Sequence, residues 1–220
     1  MVPAFSSLSE FGALLRGAPG PDAAATQAAQ ARDVQLTKPP GALGRLEELA
    51  LWYCGWRGDA RARVTAPQVI VFAGNHGVVA QGVSAFPAAV TAQMVANFRA
   101  GGAAVNQLAA QVGARMDVVA LDLERPTGDI SLSETEVVAA LNSGWAAVDP
   151  ACDLLVVGEM GIGNTTSAAA IALALYSGEA VDWTGRGTGL ADAALAHKAQ
   201  IVARAVAVNA ADGAGGLEIL

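Results

Sequence analysis

Positive charge and cysteine are both scarce in this chain, and each shortage removes a class of function. Its 220 residues carry 13 Lys+Arg against 20 Asp+Glu, a net charge of −7. Such a surface repels a nucleic-acid backbone and argues against a general nucleic-acid binder, while leaving room for a local positive pocket for one phosphate. The two cysteines, Cys54 and Cys152, lie far apart with no Cys-x-x-Cys and no nearby histidine. A metal site is therefore unsupported, and a disulfide is not expected in a chain of this enzyme-like composition. The N-terminus has neither a basic start nor an uninterrupted apolar stretch, so it is not a secretory signal. No apolar run approaches a membrane span; Ala168–Tyr176 has the length of a core helix. A cytoplasmic protein with no membrane partner is expected. What the chain does have is 53% hydrophobic residues, enough to bury one substantial core.

The most informative stretch is residues 153–170. Asp153–Val157 reads as a buried strand, Gly158–Asn164 as a glycine-rich turn, and a helix follows from Thr165. Strand, glycine turn and helix in that order build a phosphate cradle, because backbone N–H groups at the helix start point at an anion. Gly161 and Gly163 would let the backbone approach a ligand, and Asn164, Thr165 and Thr166 supply side-chain donors and a good N-cap. Glu159 is the odd member. A carboxylate would oppose phosphate binding, so a proton or a hydroxyl is its expected business.

The rest of the chain alternates strand and helix. Residues 1–35 read as two helices broken at 17–21. Lys38-Pro39-Pro40-Gly41 forms an ordered turn into a helix ending near Trp56. Residues 1–62 are thus expected to form a small helical accessory segment, and 63–220 a Rossmann-like α/β domain. Gln68–Gly74 reads as a parallel strand covered on both faces, ending in Asn75-His76-Gly77. Further expected elements are helices at Val90–Arg99, Ala103–Val112 and Glu134–Ala146, a buried strand at Met116–Leu123, and a loop at Gly128–Leu132. A second glycine-rich stretch, Thr184-Gly-Arg-Gly-Thr-Gly189, precedes a long helix to about Asn209. The fold class is α/β, a doubly wound and mostly parallel sheet flanked by helices, with the small accessory domain N-terminal to it.

Single residues carry unequal weight. His76, at a strand end beside Asn75, is balanced between a packed structural histidine and a pocket residue. His197, Lys38 and Arg45 read as solvated surface groups. Lys198, under two turns into the last helix if Asp192 caps it, has the length to reach back to an anion. Arg186 reads as an anion clamp or a structural one. Val90, Met94 and Phe98 share a helix face and read as core. Neither glycine loop ends in Gly-Lys-Ser/Thr, and no dinucleotide fingerprint occurs, so nucleoside triphosphate and dehydrogenase chemistry are disfavoured. A phosphatase- or kinase-like enzyme lacks its carboxylate cluster. The glycine loops, one carboxylate and few basic groups describe a site for a phosphorylated small molecule.

Five motifs carry a family resemblance: Thr37-Lys-Pro-Pro-Gly-Ala-Leu-Gly-Arg-Leu-Glu, Phe72-Ala-Gly-Asn-His-Gly-Val, Gly82-Val-Ser-Ala-Phe-Pro, Gly158-Glu-Met-Gly-Ile-Gly-Asn-Thr-Thr and Thr184-Gly-Arg-Gly-Thr-Gly-Leu. In that order they resemble the nicotinate-nucleotide–dimethylbenzimidazole phosphoribosyltransferases. The resemblance implies transfer of 5-phosphoribosyl from nicotinate mononucleotide to 5,6-dimethylbenzimidazole, a step toward cobalamin, by a homodimer with no metal or organic cofactor. It implies phosphate and ribose binding by Gly161, Gly163, Asn164, Thr165, Gly187 and Lys198, and catalysis by Glu159. Ser84, Gln93 and Met160 would line the pocket for the incoming base. It also implies a second glutamate beyond Leu220, in a glycine-rich loop, and further strands and helices there. Either the chain is cut or it is a natural short form, in which Glu159 is the only motif carboxylate. A polypeptide truly ending at Leu220 is expected to show weak or no turnover, or to act as a non-catalytic binder of nucleotide or benzimidazole; full turnover would contradict this.

Overall fold

The computed structural model describes residues 5–121, 123–124, 132–209 and 215–219. Three parallel strands, β1 (Pro67–Gly74), β2 (Arg115–Leu121) and β3 (Leu154–Met160), form its sheet in the order β2-β1-β3. Ala73 of β1 stands opposite Ala120 of β2 on one side and Met160 of β3 on the other. From β1 the chain winds outward to β2, then crosses back to β3, which is the expected doubly wound course. In such sheets a crevice opens at the C-terminal strand ends where the winding reverses. Here that place lies between His76, after β1, and Glu159, near the end of β3.

The central position of β1 is written in its side chains. Val69, Val71 and the fully enclosed Ile70 and Ala73 form its buried run. Gln68, the one polar member, is 1% exposed. Its amide donates to Asp117 Oδ2 at 2.8 Å and the Ala147 carbonyl at 3.0 Å, and its oxygen accepts from the Asp149 N–H at 2.9 Å. A buried carboxamide with its bonds satisfied fixes register instead of costing stability.

Before the sheet come α1 (Leu8–Arg16), α2 (Ala23–Asp33) and α3 (Arg45–Arg57). Asp22 caps α2 through the Ala25 N–H and its own N–H reaches the Gly55 carbonyl, so α2 and α3 pack as a pair. Between β1 and β2 lie a short 3-10 helix at 77–81, α4 (Ala89–Arg99) and α5 (Ala104–Gln111). Then follow α6 (Glu134–Ala147), α7 (Asn164–Tyr176), α8 (Ala180–Trp183), α9 (Asp192–Asn209) and α10 (Gly216–Ile219). Two apolar clusters centre on α9. Ile201 meets Val78 and Val83 near the end of β1, and Val202 meets Ala169 and Leu173 of α7.

Several sequence expectations change here. β3 is not buried: Leu155, Val156 and Val157 are 40%, 48% and 65% exposed. It sits at the edge of the three-stranded sheet, where an apolar run signals a parallel strand but not how deep it lies. β2, at the other edge, is only half-buried. On α4 the buried residues are Thr91 and Val95, while Val90, Met94 and Phe98 are half-buried. The buried stripe lies one position along from the expected one. Lys38 is no solvated charge: its Nζ bridges Asp33 at 3.2 Å and Glu47 at 2.7 Å, and these partners hold its pKa above the ordinary lysine value. Arg45 is a surface group paired with Glu48. Of the expected loop at 128–132, residues 128–131 lie outside the described residues.

Candidate active site

The sequence places its glycine turn at 158–164, but β3 runs through Met160, so Glu159 projects from the strand and the turn is Gly161-Ile162-Gly163. Gly161 is dictated by close approach. A Cβ there would stand 2.5 Å from the Gly74 carbonyl oxygen and 3.3 Å from the His76 ring. Gly163 is dictated by conformation as well, with φ +92°, and a Cβ there would stand 2.7 Å from Val79. Its left-handed backbone is cheap only for glycine. Gly163, not Asn164, is the N-cap of α7, and no side chain caps that end. Asn164 instead turns its oxygen onto the Thr165 N–H at 2.7 Å. With the Asn164 and Thr166 N–H groups bonded to the Gly161 and Gly163 carbonyls, the helix start offers the cleft its dipole more than free donors.

Facing that helix start is Lys198 of α9, 1% exposed. Its ammonium donates to Thr165 Oγ1 at 2.8 Å and the Gly185 carbonyl at 3.0 Å. No carboxylate pairs with it among the described residues, and burial lowers its pKa from the usual lysine value. An ammonium enclosed among neutral acceptors lacks the counter-ion that ordinarily offsets desolvation. Gly187 closes over the same group; a Cβ there would lie 3.6 Å from Lys198 Nζ.

These parts wall a cleft of about 300 Å³. Its lining includes Ser84, Glu159, Met160, Gly161, Gly163, Asn164, Thr165, Gly187 and Lys198. That size falls at the lower end of small-ligand sites. Nine of the ten residues expected from the sequence meet here. The tenth, Gln93, is exposed on α4 and outside the lining. Partial desolvation raises the Glu159 pKa above its ordinary value, and no described residue hydrogen-bonds its carboxylate. Ser84 Oγ accepts from the Phe86 N–H at 3.2 Å, holding its loop beside the cleft.

The undecided residues resolve. Arg186 lines the cleft and is also a structural clamp: it donates to the Leu190 carbonyl at 2.9 Å and pairs with Asp192, stapling the second glycine loop to the start of α9. Asp192 is the first residue of that helix. His197 contacts the Gln81 carbonyl at 2.7 Å, away from the lining. His76 packs beneath Gly161, 3.4 Å from Ser167 Oγ, and burial lowers its pKa, favouring the neutral ring. One residue escaped sequence reasoning. Thr91 Oγ1, wholly buried, accepts the Ile162 N–H at 3.2 Å. A threonine at the centre of an apolar helix face was the available signal.

Among the described residues no group of three His, Cys, Asp or Glu is arranged to hold a metal, and no helix is long and apolar enough to cross a membrane. The glycine turn, the start of α7 and Lys198 lie together at the switch point of a parallel sheet, in one cleft with a carboxylate, a layout suited to a phosphorylated ligand. A phosphoribosyltransferase family model matches residues 18–220, and the chain belongs to that family. It is 66% identical over 224 residues to the nicotinate-nucleotide–dimethylbenzimidazole phosphoribosyltransferase of Ruegeria pomeroyi, covering 100% of this chain and 66% of the relative. The protein of the same description from Jannaschia sp. is 63% identical over 208 residues, covering 93% and 62%. The crystal structure of CobT from Thermus thermophilus superposes with TM-score 0.80 at 38% identity, over 89% of this chain and 65% of that one. The chain spans just under two thirds of the length of these relatives.

Proposed function

We propose that the cleft transfers a 5-phosphoribosyl group from nicotinate mononucleotide to 5,6-dimethylbenzimidazole, giving α-ribazole 5′-phosphate and nicotinate for cobalamin synthesis. The observation that carries this is Lys198, an enclosed ammonium without a counter-ion among the described residues, beside the start of α7 and in one small cleft with Glu159. The 5′-phosphate supplies the missing anion, held by Lys198, Thr165 and the turn at Gly161 and Gly163, with Gly187 behind. Asn164 shapes the helix start beside the ribose.

With the phosphate fixed there, C1′ lies toward Glu159. The bond from C1′ to the pyridinium nitrogen breaks, and its electron pair leaves with a ring that becomes a neutral pyridine. A bond forms from one azole nitrogen to C1′ on the opposite face, and the proton of the other azole nitrogen passes to a carboxylate. The leaving ring needs no acid, so orientation and proton removal are the protein's tasks. Glu159 is the carboxylate of this cleft, and Ser84 and Met160 form the wall for the benzimidazole. Neither metal nor organic cofactor is needed for this displacement. We further propose that the protein is a cytoplasmic homodimer, and that residues 1–62 serve as a helical accessory segment to the domain at 63–220.

Glu159→Gln is expected to lower turnover by about a hundredfold while leaving nicotinate mononucleotide affinity within about threefold, in line with loss of a general base. Because burial raises the Glu159 pKa, the acid limb of the rate profile should lie above the ordinary glutamate value: activity falls as pH drops through that raised pKa. Steady-state kinetics across about pH 4 to 8, read for both substrates, checks this. An unchanged rate for the variant would remove Glu159 from the proton path.

A further inference from the structure

We propose that Thr91 is a positioning residue, whose hydroxyl fixes the phosphate-binding turn from beneath and couples it to the loop that carries Ser84. The part concerning the ligand rests on the phosphoribosyl reading above; the part concerning the turn does not.

The turn Gly161-Ile162-Gly163 is gripped from three sides. The end of β1 touches it through the Gly74 carbonyl and His76, and the 3-10 helix touches it through Val79. Both of these are steric contacts. The third is polar: the Ile162 N–H donates to Thr91 Oγ1 across 3.2 Å, with both residues buried. Ile162 is the middle residue of the turn, so its N–H direction sets how the flanking glycines present their own backbone groups to the cleft. Helices and strands satisfy most buried N–H groups through their own backbone, but a turn between them has no ladder to use. A side chain from another element must supply the acceptor, and here it comes from the first turn of α4.

The choice of threonine follows from the same constraint. Serine could accept the bond, but threonine's methyl also fills the apolar face it shares with Val95. α4 begins directly after the loop holding Ser84 and Phe86. Thr91 thus ties the proposed azole side of the cleft to its phosphate side through one hydrogen bond. Any shift of α4 changes the turn, and any rearrangement of the turn on phosphate binding pulls on the Ser84 loop.

Two variants separate this role from ordinary packing. Thr91→Val keeps the volume and removes the acceptor; Thr91→Ser keeps the acceptor and removes a methyl group. Amide hydrogen exchange at Ile162 and the dissociation constant for nicotinate mononucleotide are measured for both, on the 220-residue chain. The expected result is Ile162 exchange at least about tenfold faster and binding about tenfold weaker in Thr91→Val, with Thr91→Ser within about twofold of the parent for both, as loss of a buried acceptor predicts. A packing role gives the opposite order, with Val harmless and Ser damaging, and that result overturns the proposal. Unchanged Ile162 exchange in Thr91→Val also overturns it. If the parent chain does not bind the nucleotide, the functional reading falls, and the exchange rates still decide whether Thr91 holds the turn.

Discussion

Lys198→Met should weaken nicotinate mononucleotide binding by at least about a hundredfold, the largest single effect expected in this protein. A charge-assisted hydrogen bond contributes roughly 1.5–3 kcal/mol, and removal of this cation leaves in the cleft lining only that of Arg186, whose charge is already paired with Asp192. The same substitution is expected to leave the empty protein as stable or more stable. Lys198 is 1% exposed and lacks a paired carboxylate among the described residues, so the folded chain carries a desolvated charge that methionine would replace with an apolar group of similar length. The pH dependence follows from the direction of the shift. Burial lowers the Lys198 pKa in the folded chain. Between that lowered value and the ordinary lysine value the unfolded chain binds more protons, so the empty protein gains stability as pH rises through the window. Lys198→Met should abolish that gain. Titration calorimetry and urea unfolding from about pH 7 to 10 measure both effects. Removal of such a binding group is expected to cost affinity without costing stability.

Gly163→Ala is expected to act in the opposite sense on stability. Its φ of +92° forces an L-residue into strained backbone, and the new Cβ would meet Val79 Cγ2 at 2.7 Å. Strain of this kind costs about 1–3 kcal/mol before the contact is relieved. With the overlap added, melting should fall by roughly 5–10 °C for a chain of this size. The turn must also move to make room, so nucleotide affinity should fall along with stability, unlike the Lys198 variant. Differential scanning calorimetry with and without nicotinate mononucleotide distinguishes them. A Gly163→Ala protein of parental stability would mean that the turn is not held against the 3-10 helix.

How far these features could be read from the residues depends on how local their causes are. The order of strands and helices was legible because turn chemistry and apolar runs are local signals. So was the strand–glycine turn–helix unit, since its parts adjoin in sequence. The depth of β3 was not: Val156 and Val157 look like core residues whether a strand is central or at an edge. Lys38 failed for a related reason. Nothing in its neighbourhood reveals that Asp33 and Glu47 converge on it, because the turn at Pro39-Pro40 brings them there. Thr91 and Ile162 lie 71 positions apart, and only the folded chain joins them. Lys198 was reachable in part, since helix length and side-chain reach suggested an anion. Its burial, which makes the case, came from packing α9 against α7.

In the proposed complex Lys198, Thr165 and the glycine turn hold the 5′-phosphate with C1′ directed at Glu159. A crystal structure of the chain bound to nicotinate mononucleotide tests it most directly. The expected result is a phosphate oxygen within about 3 Å of Lys198 Nζ, at ordinary hydrogen-bond range, with the ribose between the turn and Glu159. A nucleotide bound with its phosphate away from Lys198, or with C1′ turned from Glu159, would contradict it.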